Sequence, residues 1–323
     1  MSRPFNIFLL SLWFVCGGQS ATAAVAVWID TDPACDLQRS HDVDDCWALT
    51  RALQAKELSV RGISTVFGNS SEAKGYDLVA DLLDEIVEPE VRPSLFRGAS
   101  HPYMAGANVV NESVAALATA LKNERLTIIS LGPLTNIATL IVRHPELAER
   151  IESLVVVAGQ RPEQGARFHP GPSKLFHVHD FNFRKDVAAF QIILDADLPV
   201  TLVPFEAARN IKISDADLTT LSSKGFQGEF LAGLARPWLN YWLTTFGSDS
   251  FYPFDSLAVG FVIDSERFSC ERLPVYIEPK PSLFLTSRDR LLVSEDYSGG
   301  MLVDYCFDVD SGFKADLLAS LGG

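Results

Sequence analysis

The stretch WIDTDPACDLQRSHDVDDCWAL (residues 28–49) gathers six aspartates directly behind an apolar run, VAVWID (25–30). The apolar, β-branched run is typical of a buried strand. The segment that follows, residues 42–56, has apolar residues at helical spacing and acids in its first turn, where the positive end of the helix dipole favours them. The stretch therefore predicts a strand, a loop rich in carboxylates and a helix.

The alternation of strand-like and helix-like segments continues along the chain. It comprises strands at 58–69, 126–130, 153–159 and 198–204 and helices at 71–86, 135–143, 187–196 and within 214–247. Strands that alternate with helices form parallel sheets with helices on both faces. We therefore predict an α/β fold with an open, mostly parallel sheet flanked by helices, of the Rossmann-like kind. Residues 272–306 contain short β-like runs, and no linker divides residues 25–323, which we expect to form a single domain.

Polar residues recur where the predicted strands end. Asp30 and Asp32 follow the first strand, Asn69 the second, and residues 132–136 and Gly159 the next two. Ligands of such sheets bind at the carboxyl ends of the strands. This edge of the sheet is therefore the predicted site.

Bulk composition excludes some functions and leaves others open. The chain has 323 residues, 47% of them hydrophobic, which suffices for a large core. Its net charge of -14 argues against nucleic acid as a partner, because no basic patch offsets it.

The first 24 residues are typical of a secretory signal peptide. Arg3 is followed by an apolar stretch at 7–16 and by small residues at 20–24, which predicts cleavage near Ala23 or Ala24. The apolar stretch is too short to span a bilayer, and no other segment looks transmembrane. We expect a secreted or periplasmic protein with no membrane attachment after cleavage.

Removal of that segment leaves four cysteines, which permit three pairings. Proximity along the chain favours Cys35 with Cys46 and Cys270 with Cys306. Ordinary buried thiols are the alternative.

The aspartates at the first strand end predict a bound cation. Carboxylates that converge from the strand end and the helix start have raised pKa values unless a cation lies among them, and calcium accepts many such oxygens. We expect Asp32 and Asp45 to bind the ion, and Asp36 and Asp42 to be solvated loop residues.

Here the sequence resembles a known family. DTDP and DVDDCWAL are similar to DTDPGxDDxxAL, the N-terminal signature of the inosine–uridine-preferring nucleoside hydrolases, although the intervening segment is longer and Ala34 replaces the usual glycine. Further resemblances follow in the family's order: STVFGN (64–69), LFRGASHP (95–102), ISLGPLTNIA (129–138), VVVAG (155–159), DFNF (180–183) and YPFDSLAVGFV (252–262).

The resemblance implies calcium-dependent hydrolysis of the N-glycosidic bond of ribonucleosides, giving ribose and free base. The implied calcium ligands are Asp32, Asp45, Asp255 and the main-chain oxygen of Thr135. The residues implied to contact the nucleoside are Asp44, Asn69, Asp180, which replaces the usual glutamate, Asn182 and Asp255. Asp32 is implied as general base. Carboxylates suit this reaction because cleavage builds positive charge on the sugar ring.

One departure concerns the leaving base. Many members have a histidine, proposed to protonate the base, where this chain has Phe254. Purine-preferring relatives stack an aromatic ring on the base at this place, so purine preference is the working hypothesis; simple packing of Phe254 is the alternative. A substitute acid could come from His177 or His179, or from His169.

Three further readings stay open. The aromatic segment PWLNYWLTTF (237–246) favours core packing, with Trp238, Tyr241 or Trp242 lining a base pocket as the alternative. The function could instead be that of a DxD-type metal-dependent phosphatase, or of a ribosyl-ligand binding protein without turnover. Relatives are commonly dimers or tetramers, so a homo-oligomer is also open.

Overall fold

The computed structural model describes residues 23–36, 42–106, 110–162, 169, 171, 179–280 and 289–323. Most of the predicted signal peptide, His177 and the β-like run at 283–287 lie outside these residues. None of the helices within the described ranges is both long and apolar enough to cross a membrane.

Strands and helices alternate in the first two thirds of the chain. The strands of the described residues are β1 (Val25–Thr31), β2 (Leu58–Thr65), β3 (Leu95–Phe96), β4 (Leu126–Ser130), β5 (Ile151–Val156), β6 (Val200–Leu202), β7 (Ile213–Ser214), β8 (Ser250–Phe251), β9 (Phe268–Glu278), β10 (Arg290–Val293) and β11 (Met301–Val309). The α-helices are α1 (Asp44–Gln54), α2 (Glu72–Ile86), α3 (Glu112–Asn123), α4 (Thr135–Arg143), α5 (Phe181–Lys185), α6 (Val187–Asp195), α7 (Asp215–Ser222), α8 (Phe226–Phe246), α9 (Phe254–Ile263) and α10 (Phe313–Ser320).

One central sheet carries nine of these strands in the order β10-β9-β11-β6-β5-β4-β1-β2-β3. Neighbours from β11 through β6 to β3 are parallel, whereas β9 pairs antiparallel with both β10 and β11. The predicted fold class is therefore confirmed. β7 and β8 form a separate antiparallel pair.

The sheet has a buried core on each face. Side chains of a strand point alternately to the two faces; Val27 and Ile29 of β1 pack in one cluster and Trp28 in the other. The first cluster includes residues of α1, α8 and α9, and the second residues of α3, α4 and α6. Because β1 lies inside the sheet with helices over both faces, the residues after Thr31 emerge at a largely enclosed edge.

The predicted strands and helices of residues 25–204 are confirmed. α3, α10 and the antiparallel arrangement of the last three strands were not predicted, because strand direction depends on distant pairing rather than local pattern. Both predicted disulfides are present, Cys35–Cys46 and Cys270–Cys306, so the buried-thiol alternative is wrong.

Candidate active site

Asp32 stands directly after β1, at the carboxyl end of the sheet, and is fully buried. Its Oδ2 accepts a hydrogen bond from the main-chain N–H of Asn69 at 2.9 Å. Its Oδ1 is buried without a hydrogen-bond partner among the described residues. A Cβ at Gly68 or Gly132 would collide with this carboxylate, so both loops need glycine to approach it.

The first turns of two helices bring further carboxylates to this place. Asp45, in α1, accepts hydrogen bonds from the Thr31 hydroxyl and, at 3.1 Å, from the main-chain N–H of Asp32. Asp44 accepts one from the main-chain N–H of Asp255 at 3.1 Å, which ties α1 to α9. The other oxygen of Asp44, Oδ1, is buried without a partner in the described part of the chain.

The carboxylates of this cluster resist ionisation. Burial, and then the charges of neighbouring aspartates, raise the pKa values of Asp32, Asp44 and Asp255 well above the usual range. Burial raises the pKa of Asp45 to about 6, and burial with the charge of Asp45 raises that of Asp42 to about 7. Like charges held together in this way are stabilised by a cation.

The donor set fits a hard divalent cation. The charge of Asp45 raises the pKa of Asp32, and the charges of both raise that of Asp255, so the three carboxylates lie near one another. The orphaned Oδ1 of Asp32 is an unused oxygen ligand. Within the described ranges, no group of three or more His, Cys, Asp or Glu side chains is arranged so that it could hold a metal ion. The fit therefore lies in the chemistry and convergence of the donors, not in a completed cage.

Thr135 does not belong to this cluster. As the first residue of α4 it directs its carbonyl along the helix, where that oxygen accepts a hydrogen bond from the Thr139 hydroxyl at 2.8 Å. Its own hydroxyl donates to Asp186 at 2.5 Å. The carbonyl of Thr135 is therefore engaged within α4, and its role as the main-chain ligand stays a prediction.

A cavity of about 310 Å³ opens beside the carboxylates. The polar residues of its lining, called the polar end below, are Asp42, Asp44, Asn69, Asn182 and Asp255. The aromatic residues of its lining, called the aromatic end, are Phe181, Phe205, Trp238, Tyr241, Trp242, Phe246 and Phe254, and Leu131 and Val157 complete the lining. The volume is at the lower end of the range for small-molecule sites. The arrangement suits a ligand with a polar sugar-like part and a flat apolar part.

Asn182 presents an acceptor to the polar end. Its Nδ2 donates to the carbonyls of Leu131 and Val157, at 2.7 and 3.1 Å. Because both amide hydrogens are engaged, Oδ1 is the atom left to meet a ligand.

Asp180 does not line the cavity as the resemblance implied. It caps the N-terminus of α5, where Oδ1 accepts from the N–H of Phe183 at 3.0 Å, and Oδ2 accepts from the N–H of Gly159 at 2.6 Å. These contacts fix the turn that carries Asn182. Asp180 is therefore a positioning residue.

The aromatic residues expected mainly in the core lie partly in the cavity wall. Trp238 and Tyr241, expected mainly in the core, are half-buried and line the cavity, whereas Trp242 both lines it and packs in the core. Phe254 also lines the cavity and lies 4.6 Å from Phe205, centroid to centroid, and its stacking on a base stays a prediction.

The two aspartates of the loop between β1 and α1, Asp36 and Asp42, have different surroundings. Asp36 forms an ion pair with Lys74 at 3.1 Å, but Asp42, expected to be solvated, is half-buried and lines the cavity.

Among the candidate acids, His177 lies outside the described residues. His179 is exposed and His169 lines a different cavity, so neither is placed against the aromatic end.

Sequence and structure comparisons agree with this geometry. A family model described as "Inosine-uridine preferring nucleoside hydrolase" matches residues 27–311. A probable uridine nucleosidase 2 of Oryza sativa subsp. japonica is 23% identical over 280 residues, covering 78% of each chain. The non-specific ribonucleoside hydrolase RihC of Salmonella enteritidis is 25% identical over 281 residues, covering 80% of this chain and 84% of its own.

Solved structures share the fold. A purine-preferring ribonucleoside hydrolase from Gardnerella vaginalis superimposes with a TM-score of 0.74 at 19% identity, covering 92% of this chain and 98% of its own. A plant nucleoside hydrolase, PpNRh1, gives 0.72 at 18% identity, with coverage of 92% and 98%. The family match spans the residues of both ends of the cavity, and the chain belongs to the inosine–uridine-preferring nucleoside hydrolase family.

Proposed function

We propose that this enzyme hydrolyses the N-glycosidic bond of ribonucleosides, releasing ribose and free base, with a calcium ion at the carboxylate end of the cavity. The observation that carries the proposal is the cavity itself, whose lining combines buried carboxylates with several aromatic rings. Family membership supports the same reaction and argues against the phosphatase alternative.

Asp32, Asp45 and Asp255 would hold the ion. When bound, calcium supplies a grip on vicinal hydroxyls and lowers the pKa of a water molecule beside it. Its identity rests on the donors: carboxylate oxygens are hard ligands, and the described part of the cluster includes neither histidine nor cysteine as a ligand.

Each protein group at the polar end has a stated task. Asp32, besides holding the ion, accepts the proton of the attacking water through its carboxylate. Asp44, Asn69 and the Oδ1 of Asn182 hold the sugar hydroxyls. Together these oxygens stabilise the positive charge that develops on the sugar ring as the bond to the base breaks.

Aromatic contacts hold the base. Phe254 and its neighbours provide faces on which a flat ring can stack, and the larger ring system of a purine gains more from stacking than that of a pyrimidine. A purine preference follows as the finer proposal.

The primary test is a panel of nucleosides assayed for release of reducing sugar. Full-length protein should cleave inosine and adenosine faster than uridine and cytidine, lose activity after prolonged chelation, and regain it with calcium more fully than with magnesium. Release of phosphate from phosphomonoesters, or ribose binding without any release of base, would refute the proposal.

Export is proposed on separate grounds. The signal-like residues 1–24 support it, and so do two disulfides, which persist in oxidising compartments. N-terminal sequencing of the protein from culture medium or a periplasmic fraction should begin near Ala24. An intact N-terminus in the cytoplasm would refute export.

A further inference from the structure

We propose that Asn136 is a positioning residue of the active site, which holds Asp32 and the loop that carries Asn69 in their working arrangement. This inference rests on the proposed hydrolysis of nucleosides and adds a residue that is not part of the cavity lining. Three observations carry it: the hydrogen bonds of the Asn136 side chain, the contacts that run from its partners to Asp32, and the close approach of Gly98 to its amide.

The side chain of Asn136 is fully buried and uses its whole hydrogen-bonding capacity. Its Nδ2 donates to Oδ1 of Asp30 at 2.8 Å and to the carbonyl of Thr65 at 3.0 Å. Its Oδ1 accepts from the main-chain N–H of Ala99 at 2.8 Å and from Nδ2 of Asn111 at 3.1 Å. Because an asparagine side chain offers two donor hydrogens and two acceptor lone pairs, none is left over. The amide joins the ends of β1 and β2 to the loop that precedes α3.

Two of these bonds fix the start of the loop that carries Asn69. Thr65 ends β2, and its carbonyl accepts directly from Asn136. Ala99 relays the second contact, since its N–H donates to Asn136 and its carbonyl accepts from the N–H of Phe67 at 2.9 Å. Asn136 therefore holds this loop at Thr65 directly and at Phe67 through Ala99.

The same loop packs against Asp32. The N–H of Asn69 donates to Oδ2 of Asp32, and Gly68 comes so close to that carboxylate that no Cβ would fit between them. On the other side, Asp30 lies in β1 two residues before Asp32, and its Oδ1 accepts from Asn136. A displacement of Asn136 would therefore reach Asp32 both along the strand before it and through the loop beside it.

Gly98 closes the arrangement from outside. A Cβ at this position would lie 1.9 Å from the carbonyl oxygen of Thr65 and 2.3 Å from Nδ2 of Asn136. Only glycine allows the backbone after β3 to approach the amide this closely. A single added methyl group at Gly98 would therefore push on Asn136 without changing it.

The deciding experiment compares Asn136→Ala with Ile137→Ala, a change at the next residue of α4, which is equally buried but packs in an apolar cluster. Both variants lose buried contacts and should lose stability. Only Asn136→Ala should lower kcat, by about 100-fold, because a shift of about 1 Å at reacting groups has an effect of this size. KM should rise by a smaller factor. Equal kcat in the two variants, at a temperature where both are folded, would overturn this inference and leave the proposed function intact.

Two further variants decide the matter if Asn136→Ala does not fold. Asn136→Ser retains one hydroxyl and should lower kcat by less than 100-fold. Gly98→Ala should also lower kcat, because the added methyl group displaces the amide of Asn136. Gly299→Ala is the matched control, since its Cβ would come no closer than 3.7 Å to Tyr297. Unchanged kcat in both Asn136→Ser and Gly98→Ala would contradict the positioning role.

Hydrogen–deuterium exchange tests the same role without turnover. The N–H groups of Phe67, Asn69 and Ala99 are hydrogen-bonded within this arrangement, so peptides that cover 64–70 and 97–103 should exchange faster in Asn136→Ala than in Ile137→Ala. If no nucleoside at all is hydrolysed, the proposed function fails. In that case equal exchange in the two variants would reject the role of Asn136 as well, and faster exchange in Asn136→Ala would support it.

Discussion

The β1–α1 junction and the C-terminal strands both concentrate aspartates, but they surround them differently. At the junction, Asp32 and Asp44 are buried against other carboxylates, and each keeps an oxygen without a partner among the described residues. Near the C-terminus, Arg267 donates to both oxygens of Asp310, at 2.5 and 2.9 Å, and also to Asp316. Paired charges stabilise a fold modestly; crowded unpaired charges destabilise it unless a ligand supplies the missing cation.

Each region also contains a disulfide. One lies beside the buried carboxylates, and the other links two paired strands. Cys35–Cys46 joins the loop after β1 to the first turn of α1, next to Asp45. Cys270–Cys306 joins β9 to β11 at directly paired positions of the sheet. The first bond holds the two chain segments that carry the carboxylates, and the second holds a strand pair that makes no part of the cavity. We read the junction as organised for binding and the C-terminal strands as organised for stability.

The largest expected effect is at the junction. Asp32→Asn should lower kcat/KM by about 1,000-fold, because it removes the proposed base and a metal ligand. The free energy of unfolding of the metal-free protein should not fall, since the substitution removes one buried charge. Steady-state kinetics and thermal unfolding measure the two quantities.

The matched control is Asp195→Asn, an exposed carboxylate that accepts from Gln191. It should leave both quantities unchanged. A marked loss of stability in metal-free Asp32→Asn would contradict the view that the junction is destabilised by its own charges.

The residues after β1 and β2 and at the start of α1 were expected to converge, because parallel strands place their carboxyl ends at one edge. Asn182 and Asp255 were expected there from the family resemblance. Asp32, Asp45, Asn69, Asn182 and Asp255 do converge. The main-chain ligand stays a prediction, since the direction of a carbonyl depends on the residue at which α4 begins.

Other features could not be predicted from the local sequence pattern. A helical repeat of aromatic residues looks the same whether it faces a core or a cavity, so the place of Trp238 and Tyr241 depended on what α8 packs against. Asp42 was misplaced because a disulfide-closed loop has no periodicity from which its direction can be read. The antiparallel pairing of β9 with β11 joins distant segments whose order in the sheet no local signal specifies.

The second-largest effect is expected from removal of the disulfides, and it should differ between the two. In the chain-entropy estimate, loops of 11 and 36 residues contribute about 2.8 and 3.8 kcal/mol to the free energy of unfolding. Cys270→Ala/Cys306→Ala should therefore lose more stability. Cys35→Ala/Cys46→Ala should lose more function, with KM and the calcium concentration for half-activity both raised about tenfold, a loss typical of supporting residues at a metal site.

Denaturant unfolding and calcium titration of both double variants, at a temperature where each is folded, test this reversal. If the two variants lose activity equally, or if Cys270→Ala/Cys306→Ala loses more, the junction disulfide has no special role in the site.

A smaller effect is expected from the paired charges. Arg267→Gln removes the donors to Asp310 and Asp316 and the cation–π contact with Phe313, 5.8 Å from the guanidinium carbon to the ring centroid. It should lower the Tm by about 2–4 °C, as expected for a modest loss of stability in a chain of this size. Its kcat/KM should equal that of the unsubstituted enzyme, because none of these residues lines the cavity. A change in KM would show that the C-terminal strands are coupled to the site.

The smallest expected effect is a dependence on pH of the stability that the pair Arg267–Asp310 contributes. The hydrogen bonds from Arg267 lower the pKa of Asp310 from its ordinary value of 3.8 to about 2. A carboxyl whose pKa is lower in the folded protein stabilises the fold above its unfolded pKa, and this contribution is lost as the pH falls through the folded value. The difference in Tm between the unsubstituted protein and Arg267→Gln should thus be constant from pH 7 to about 5 and shrink between about 4 and 2. Melting curves at matched ionic strength measure it, and a difference that grows as the pH falls would mean that Asp310 gains nothing from its pairing.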